Sequence, residues 1–357
     1  MNKKIRAIAL YLPQFHPIPE NDEWWGKGFT EWTNVGKAKK LFPGHYQPKV
    51  PSELGYYDLR VPETREAQAQ LAREAGIEGF AYWHYWFGNG RMLLERPFRE
   101  VLQSGKPDYP FCLSWANHSW YDKTWNNKGS DRLLIEQLYP GQEDYDRHFE
   151  YVLPAFKDSR YIRIDGKPLF CIYAPFATEE IKVFMARWRE LAVAAGLPGI
   201  YFLALAHGVD ELSKEKDFPY DAVSYDPLSD FRYGRRGISD YFSAAAHHLF
   251  GIPKIQSYSA YVDYFKKRFP CGKGYVPVVN PNFDHTPRSG KQAVTLVGST
   301  PERFKDLVET AGSEPYLPDS GLLILRSWNE WAEGNYLEPD MKFGRAYLDA
   351  LSEILKK

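Results

Sequence analysis

The sequence predicts a (β/α)8 barrel, and three observations predict it. Eight short runs rich in Val, Ile, Leu, Phe and Tyr alternate with amphipathic segments, the pattern of parallel strands joined by crossover helices. The chain has 357 residues, a length that one barrel with insertions uses in full. The first run leads into Leu12-Pro-Gln-Phe-His-Pro17, with no glycine-rich phosphate loop such as a doubly wound open sheet carries after its first strand. A single domain over residues 1–357 is the expected organisation.

Taken in order, the expected strands are Arg6 to Phe15, Gly79 to Tyr85, Pro110 to Asn117, Pro168 to Tyr173, Gly199 to Ala206, Ala222 to Asp226, Tyr275 to Pro281 and Leu322 to Trp328. Each is too short and too rich in β-branched and aromatic residues for a buried helix. Between them the expected helices are Pro62 to Ala75, Asp144 to Lys157, Thr178 to Ala195, Tyr258 to Phe269 and Pro301 to Ala311, with a last one over Lys342 to Leu355. Pro62 suits a first helical turn, and Gly76 and Gly196 suit C-terminal caps. Asp165-Gly166 reads as the turn of a small hairpin leading into the fourth strand.

Lys and Arg number 45 against 46 for Asp and Glu. No global field attracts a polyanion, so nucleic acid is excluded as the expected partner and a neutral or modestly charged ligand fits better. No stretch approaches the roughly 18 apolar residues of a membrane-spanning helix, and the start shows no cleavable signal. Three cysteines, Cys112, Cys171 and Cys271, cannot pair completely. A cytoplasmic protein without membrane insertion is expected.

Aromatic residues make up 16% of the chain, with 11 Trp and 25 Tyr. Several stand in polar loops, among them Trp24, Trp25, Trp115, Trp120, Trp125 and Trp331. Their faces suit the apolar C–H faces of sugar rings. Barrel enzymes build their sites from the loops that follow the strands, and here the long ones run over His16 to Arg60, His118 to Gln142 and Pro227 to Ser257. A cleft walled by Trp24, Trp25, Trp120 and Trp125 is expected.

Polar residues at the carboxyl ends of the strands converge on one mouth. They are Gln14 and His16 from strand one, His84 from two, Asn117 and His118 from three, His207 from five and Asp226 from six. Strand seven adds Asn280, Asp284 and Arg288, and strand eight Asn329, Glu330 and Glu333. The last segment is the most informative: an apolar run, Leu322 to Leu325, leads straight into two carboxylates three residues apart, flanked by Trp328 and Trp331. If the backbone turns helically after Asn329, their Cβ atoms lie about 5–6 Å apart. Carboxylates held that close drive their pKa values apart, so that one holds a proton while the other is ionised. Glycosidic cleavage needs that division. Glu338, further along, is expected to be structural.

Competing chemistries lack anchors. There is no His-Glu-x-x-His or Cys-x-x-Cys, and His84, His118, His207 and His285 come from different loops, so no metal is expected. No Gly-x-Ser-x-Gly or P-loop appears, and no cofactor is expected.

The segment Tyr11-Leu-Pro-Gln-Phe-His-Pro-Ile-Pro-Glu-Asn-Asp-Glu-Trp-Trp-Gly-Lys-Gly-Phe-Thr-Glu-Trp-Thr-Asn-Val35 resembles the WbsX family, as do Phe42-Pro-Gly-His-Tyr-Gln-Pro48, Asp284-His-Thr-Pro-Arg288 and Ser327-Trp-Asn-Glu-Trp-Ala-Glu-Gly334. That family is labelled as glycosyltransferases of polysaccharide biosynthesis. It is similar in turn to glycoside hydrolase family 99, metal-independent retaining endo-α-mannosidases and mannanases on a (β/α)8 barrel. The resemblance implies an oligosaccharide or polysaccharide substrate, such as a mannan-like or O-antigen glycan. It implies that Glu330 is the base on the sugar 2-hydroxyl, giving a 1,2-anhydro intermediate, and that Glu333 is the acid and later the base. Ala332 stands where those relatives carry His, which implies a different sugar-contacting surface. Glycosyl transfer in place of hydrolysis is the alternative that the family's label implies.

Overall fold

The structure is a computed structural model that describes residues 4–123, 130–234, 238–272 and 274–357. Trp125 lies outside the described residues. The eight expected strands form: β1 (Arg6–Tyr11), β2 (Gly79–Trp86), β3 (Phe111–Trp115), β4 (Lys167–Ile172), β5 (Tyr201–Ala206), β6 (Ala222–Tyr225), β7 (Val276–Val279) and β8 (Leu322–Leu325). All pair in parallel with their sequence neighbours. The ring closes where Arg6 to Ala9 pair with Leu322 to Leu325. Helices cover the outside, so both faces of each strand are buried and the strands read as continuous apolar runs. Leu322, Leu323, Ile324 and Leu325 are accordingly all fully buried. Gly79 begins β2 because any side chain would strike the carbonyl oxygen of Pro110, which a Cβ would approach to 2.3 Å.

The connecting helices are α1 (Pro62–Glu74), α2 (Arg96–Ser104), α3 (Gln142–Lys157), α4 (Glu180–Ala194), α5 (Tyr258–Arg268), α6 (Pro301–Ala311) and α7 (Ala346–Leu355). α6 starts as expected, with Pro301 in its first turn and the Thr300 hydroxyl accepting from Arg303 N. α2 was not expected: it is only nine residues long and buries only Pro97, Phe98 and Val101, although its apolar face is sharply one-sided. After β5 only two short turns form, the helical Val209–Leu212 and the 3-10 turn Glu215–Asp217. The last helix starts four residues later than expected, since the Asp340 carboxylate accepts from the backbone N–H groups of Lys342 and Phe343 and holds them in a turn. The expected hairpin is present, Arg163 and Ile164 pairing with Pro168 and Lys167 across Asp165-Gly166.

The long loop after β1 holds two short helices, Pro19–Trp25 and Glu31–Gly36, and the loop after β6 holds Pro227–Tyr233 and Ile238–Phe250. Cys112 and Cys171 are buried free thiols and Cys271 is exposed. Among the described residues no helix is long and apolar enough to cross a membrane.

Candidate active site

β1 ends its pairing at Tyr11, four residues before the expected limit, and the reason lies in the site. The side chain of Asn329 takes the place of a neighbouring strand: its Oδ1 accepts from Leu12 N at 2.7 Å and its Nδ2 donates to Leu12 O at 3.0 Å. Asn329 and Glu330 then pair antiparallel with Tyr336 and Asn335. Between these short strands, Trp331–Glu333 make a single 3-10 turn closed by Gly334 at φ 61. This is the turn that brings the two glutamates together. Their carboxyls bear directly on each other's ionisation.

A cavity of about 200 Å³ opens over the pair, lined also by Leu12, Trp83, Tyr85, His118, Tyr173, His285, Arg288 and Arg326. Trp83 donates Nε1–H to Glu330 Oε1 at 3.1 Å. Arg288 donates Nη1–H to Glu333 Oε1 at 2.5 Å and Nε–H to Glu31 Oε1 at 3.0 Å. Arg326 holds Asp226 at 2.9 Å and reaches Glu333 Oε2 at 3.9 Å.

The two carboxyls sit in unequal fields. Burial and the nearby charge of Glu333 raise Glu330 to about 7, against the pull of Arg326 and Arg288. Burial also opposes ionisation of Glu333, but Arg288, His285 and Arg326 outweigh it and hold that carboxyl well below its ordinary range. Below about pH 7 the pair therefore holds one proton, carried by Glu330. His285 is pushed down to about 4 by burial, so it is neutral near pH 7 and adds its charge to the field on Glu333 only in acid.

Of the other expected site residues, His118 and Arg288 line this cavity. His207 lies in the groove beside it and donates Nε2–H to Tyr173 O at 3.0 Å. Asp226 caps the helix after β6 and pairs with Arg326. Tyr11, His84 and Trp115 are not brought to the mouth. Side chains alternate along a strand, and these three face the helices: Tyr11 donates to Gln68 on α1, His84 meets His148 on α3, and Trp115 packs against Phe184 on α4. Their strand neighbours Leu12, Trp83, Tyr85 and Ala116 face the cavity instead. Parity within each strand would have found them, and a charged Arg326 directly after Leu322–Leu325 was a second available signal.

The loop residues brace the site from outside. Gln14 O accepts from Glu31 N, and Gln14 Oε1 accepts from Asn21, while His16 bonds Pro13 O. Trp24 packs edge-on against Trp25 and Trp120, Trp25 lies tilted against Trp120, and Trp120 is fully buried. They form a packed cluster and do not line the cavity over the glutamates. Asn117 ties the end of β3 to Ala174 through both its amide atoms. Trp331 is buried, stacked on Tyr336 at 3.8 Å, and donates to Glu338. Glu338 also accepts from Tyr57 and Gln68, so its contacts are those of a structural group. Asp284 lies under the turn: its N–H donates to Glu333 O at 2.6 Å, and its carboxylate accepts from Gln47 and bonds His45. Asn280 is buried and bonds Asp226, Tyr261 and Asn335.

A family model described as Glycosyltransferase WbsX matches residues 7–351. The chain is 36% identical over 361 residues to the uncharacterized protein WxcX of Xanthomonas campestris pv. campestris (strain B100), covering 98% of this chain and 49% of that protein. It thus spans about half the length of the curated relatives it matches. Among solved structures, a glycoside hydrolase-like protein superposes with a TM-score of 0.61 at 15% identity, covering 99% of this chain and 94% of that one. The GH99 endo-alpha-mannosidase from Bacteroides thetaiotaomicron gives 0.53 at 16% identity, over 98% and 96% of the two chains. At such identities the likeness is one of fold.

Proposed function

The chain belongs to the family described as Glycosyltransferase WbsX, and from that premise we propose that it is a glycan-active enzyme cleaving an α-linked glycan with retention through Glu330 and Glu333. The observation that carries the reading is the pair of carboxyls lining one aromatic-walled cavity in unequal fields, one set to hold a proton and the other to be ionised. Tyr173, Tyr85 and Trp83 offer apolar faces to a sugar ring, and Arg326, His118 and His285 offer polar edges to its hydroxyls. The endo-α-mannosidase likeness supports a mannan-like or bacterial surface polysaccharide as the substrate class.

In this route Glu330 removes the proton of the 2-hydroxyl as O2 attacks C1, and Glu333 protonates the departing glycosidic oxygen. Water then opens the 1,2-anhydro ring at C1, giving its proton to Glu333, while O2 recovers a proton from Glu330. Below about pH 7 the proton of the pair is on Glu330, so the route needs it to pass to Glu333 when sugar binds. A 2-hydroxyl donating to Glu330 stabilises its carboxylate, and a glycosidic oxygen accepting from Glu333 stabilises its acid form. Both contacts drive the transfer in that direction.

An aryl α-glycoside with a leaving group that needs no protonation tests the assignment. Glu333→Gln should keep cleaving it while losing the natural glycan, and Glu330→Gln should lose both. The reverse pattern would exchange the two roles, and full activity in both variants would sink the reading. The family's description favours a second reading, transfer, in which an acceptor hydroxyl replaces water on the same pair. Product analysis with and without added acceptor separates the two.

A further inference from the structure

We propose that the groove beside the glutamate pair is a subsite for an acidic sugar residue, one that carries a carboxylate or a phosphate. This rests on the reading above and names the substrate class for it. The groove encloses about 700 Å³ and shares Tyr173 and Arg326 with the glutamate cavity, so one glycan can occupy both.

Arg232 is the reason for an acidic residue. Its guanidinium lies 4.4 Å from the ring centre of Phe283 and 5.3 Å from that of Tyr233, which fixes its plane. Its Nε is buried without a hydrogen-bond partner, as is the Nε of Arg326 on the same wall. The other two arginines of the site are matched, Arg288 by Glu31 and Glu333 and Arg326 by Asp226. Among the described residues no carboxylate forms an ion pair with Arg232. Of the acids along the groove, Asp230 is taken up by Tyr225 and Val209 N, and Glu211 by His207 N. Asp210 is exposed at the rim.

A guanidinium packed over aromatic rings, with no carboxylate in ion-pair contact and only the more distant charge of Glu333 in its field, matches a planar carboxylate or a phosphate in charge. Neutral hydroxyls would satisfy the N–H groups and leave the charge uncompensated. Glycans of this class meet Arg232 as their acidic residue lies in the groove and their scissile bond over Glu330 and Glu333.

Calorimetry on the full chain carrying Glu330→Gln, which stops turnover, tests the subsite. The probes are an α-linked hexuronosyl-hexose disaccharide, its carboxyl-reduced neutral counterpart, and a disaccharide phosphate. An acidic probe should bind about tenfold tighter than the neutral one; which acidic probe does so names the anion. Arg232→Gln should erase that preference, and Arg232→Lys should keep part of it. Thermal melts of both variants matching the parent exclude misfolding as the cause. Equal binding of all probes, or a preference that survives Arg232→Gln, overturns the subsite and leaves the glycan reading standing if the neutral probe still binds. Binding of none overturns both.

Discussion

Arg288 donates Nη1–H to Oε1 of Glu333 at 2.5 Å, and this contact fixes which member of the carboxyl pair is ionised in the empty site. The same guanidinium is anchored behind by Glu31, which is fully buried and begins the Glu31–Gly36 helix. One cation thus serves a carboxylate that holds it and a carboxylate that uses it.

Removing that cation separates structure from chemistry. Arg288→Gln leaves Glu31 buried without a counter-ion, and loss of one partner of a buried pair costs about 3–5 kcal/mol. Denaturant melts should show that loss. Adding Glu31→Gln removes the stranded charge and should recover most of the stability, a strongly non-additive cycle. Activity should stay low in the double variant, because Glu333 still lacks its cation. Recovery of activity along with stability would reduce Arg288 to a structural prop.

The raised carboxyls give a definite sign to the pH dependence of stability. Glu330 and Glu338 are each pushed up to about 7 by burial, so the folded chain binds those protons more tightly than the unfolded chain does. Their contribution is fully present below the ordinary glutamate range and is lost as pH rises through about 7. The slope is about 1.4 kcal/mol per pH unit for each group over that window. Below about pH 6.5 the histidines His16, His84, His118, His148, His207 and His285, all pushed down by burial, act in the opposite sense. Between pH 6.5 and pH 8 the carboxyls govern, so melting temperature should fall there and Glu330→Gln should flatten the fall. A melting temperature that rises over the same interval would contradict the sign.

Trp83 offers a finer probe of the same proton. Its Nε1–H donates to Glu330 Oε1 at 3.1 Å, a contact that favours the ionised form. Trp83→Phe keeps an aromatic wall and removes only the donor. Glu330 should then hold its proton to higher pH, so the limb of the rate profile governed by this group should move up by a fraction of a unit. The stability change should stay near 1 kcal/mol. An unmoved limb would mean that water replaces the indole.

The barrel was legible because strand runs such as Leu322–Leu325 and β2 are buried on both faces and announce themselves by composition alone. The glutamate pair was legible because it follows such a run directly. Which other residues reach the mouth was harder, since it depends on strand parity: His84 attracts attention as an imidazole, yet Trp83 and Tyr85 on either side of it face the cavity. Partners far apart in the chain left no local trace. Glu31 meets Arg288, and Asp284 meets His45 and Gln47, only because the long loop after β1 folds back over β7 and β8.

Gly334 is where backbone and chemistry meet most tightly. It sits at φ 61, directly after Glu333, and a Cβ there would come within 2.5 Å of Lys49 Nζ, 2.7 Å of Asp284 Cβ and 3.0 Å of Asp284 N. Lys49 can withdraw its flexible end, although it donates to Gly334 O from a buried position. Asp284 cannot, because His45 and Gln47 hold its carboxylate and its N–H is bonded to Glu333 O. Gly334→Ala must therefore push the Trp331–Glu333 turn away from Asp284 and break that 2.6 Å bond. A left-handed non-glycine residue costs about 1 kcal/mol before the clash is counted, so stability should drop by about 2–3 kcal/mol. Because Glu333 is carried on the displaced turn, kcat should fall by about two orders of magnitude while glycan binding by the Glu330→Gln, Gly334→Ala chain changes far less. Parallel loss of binding and turnover would show that the turn shapes the whole cavity and not the position of Glu333 alone.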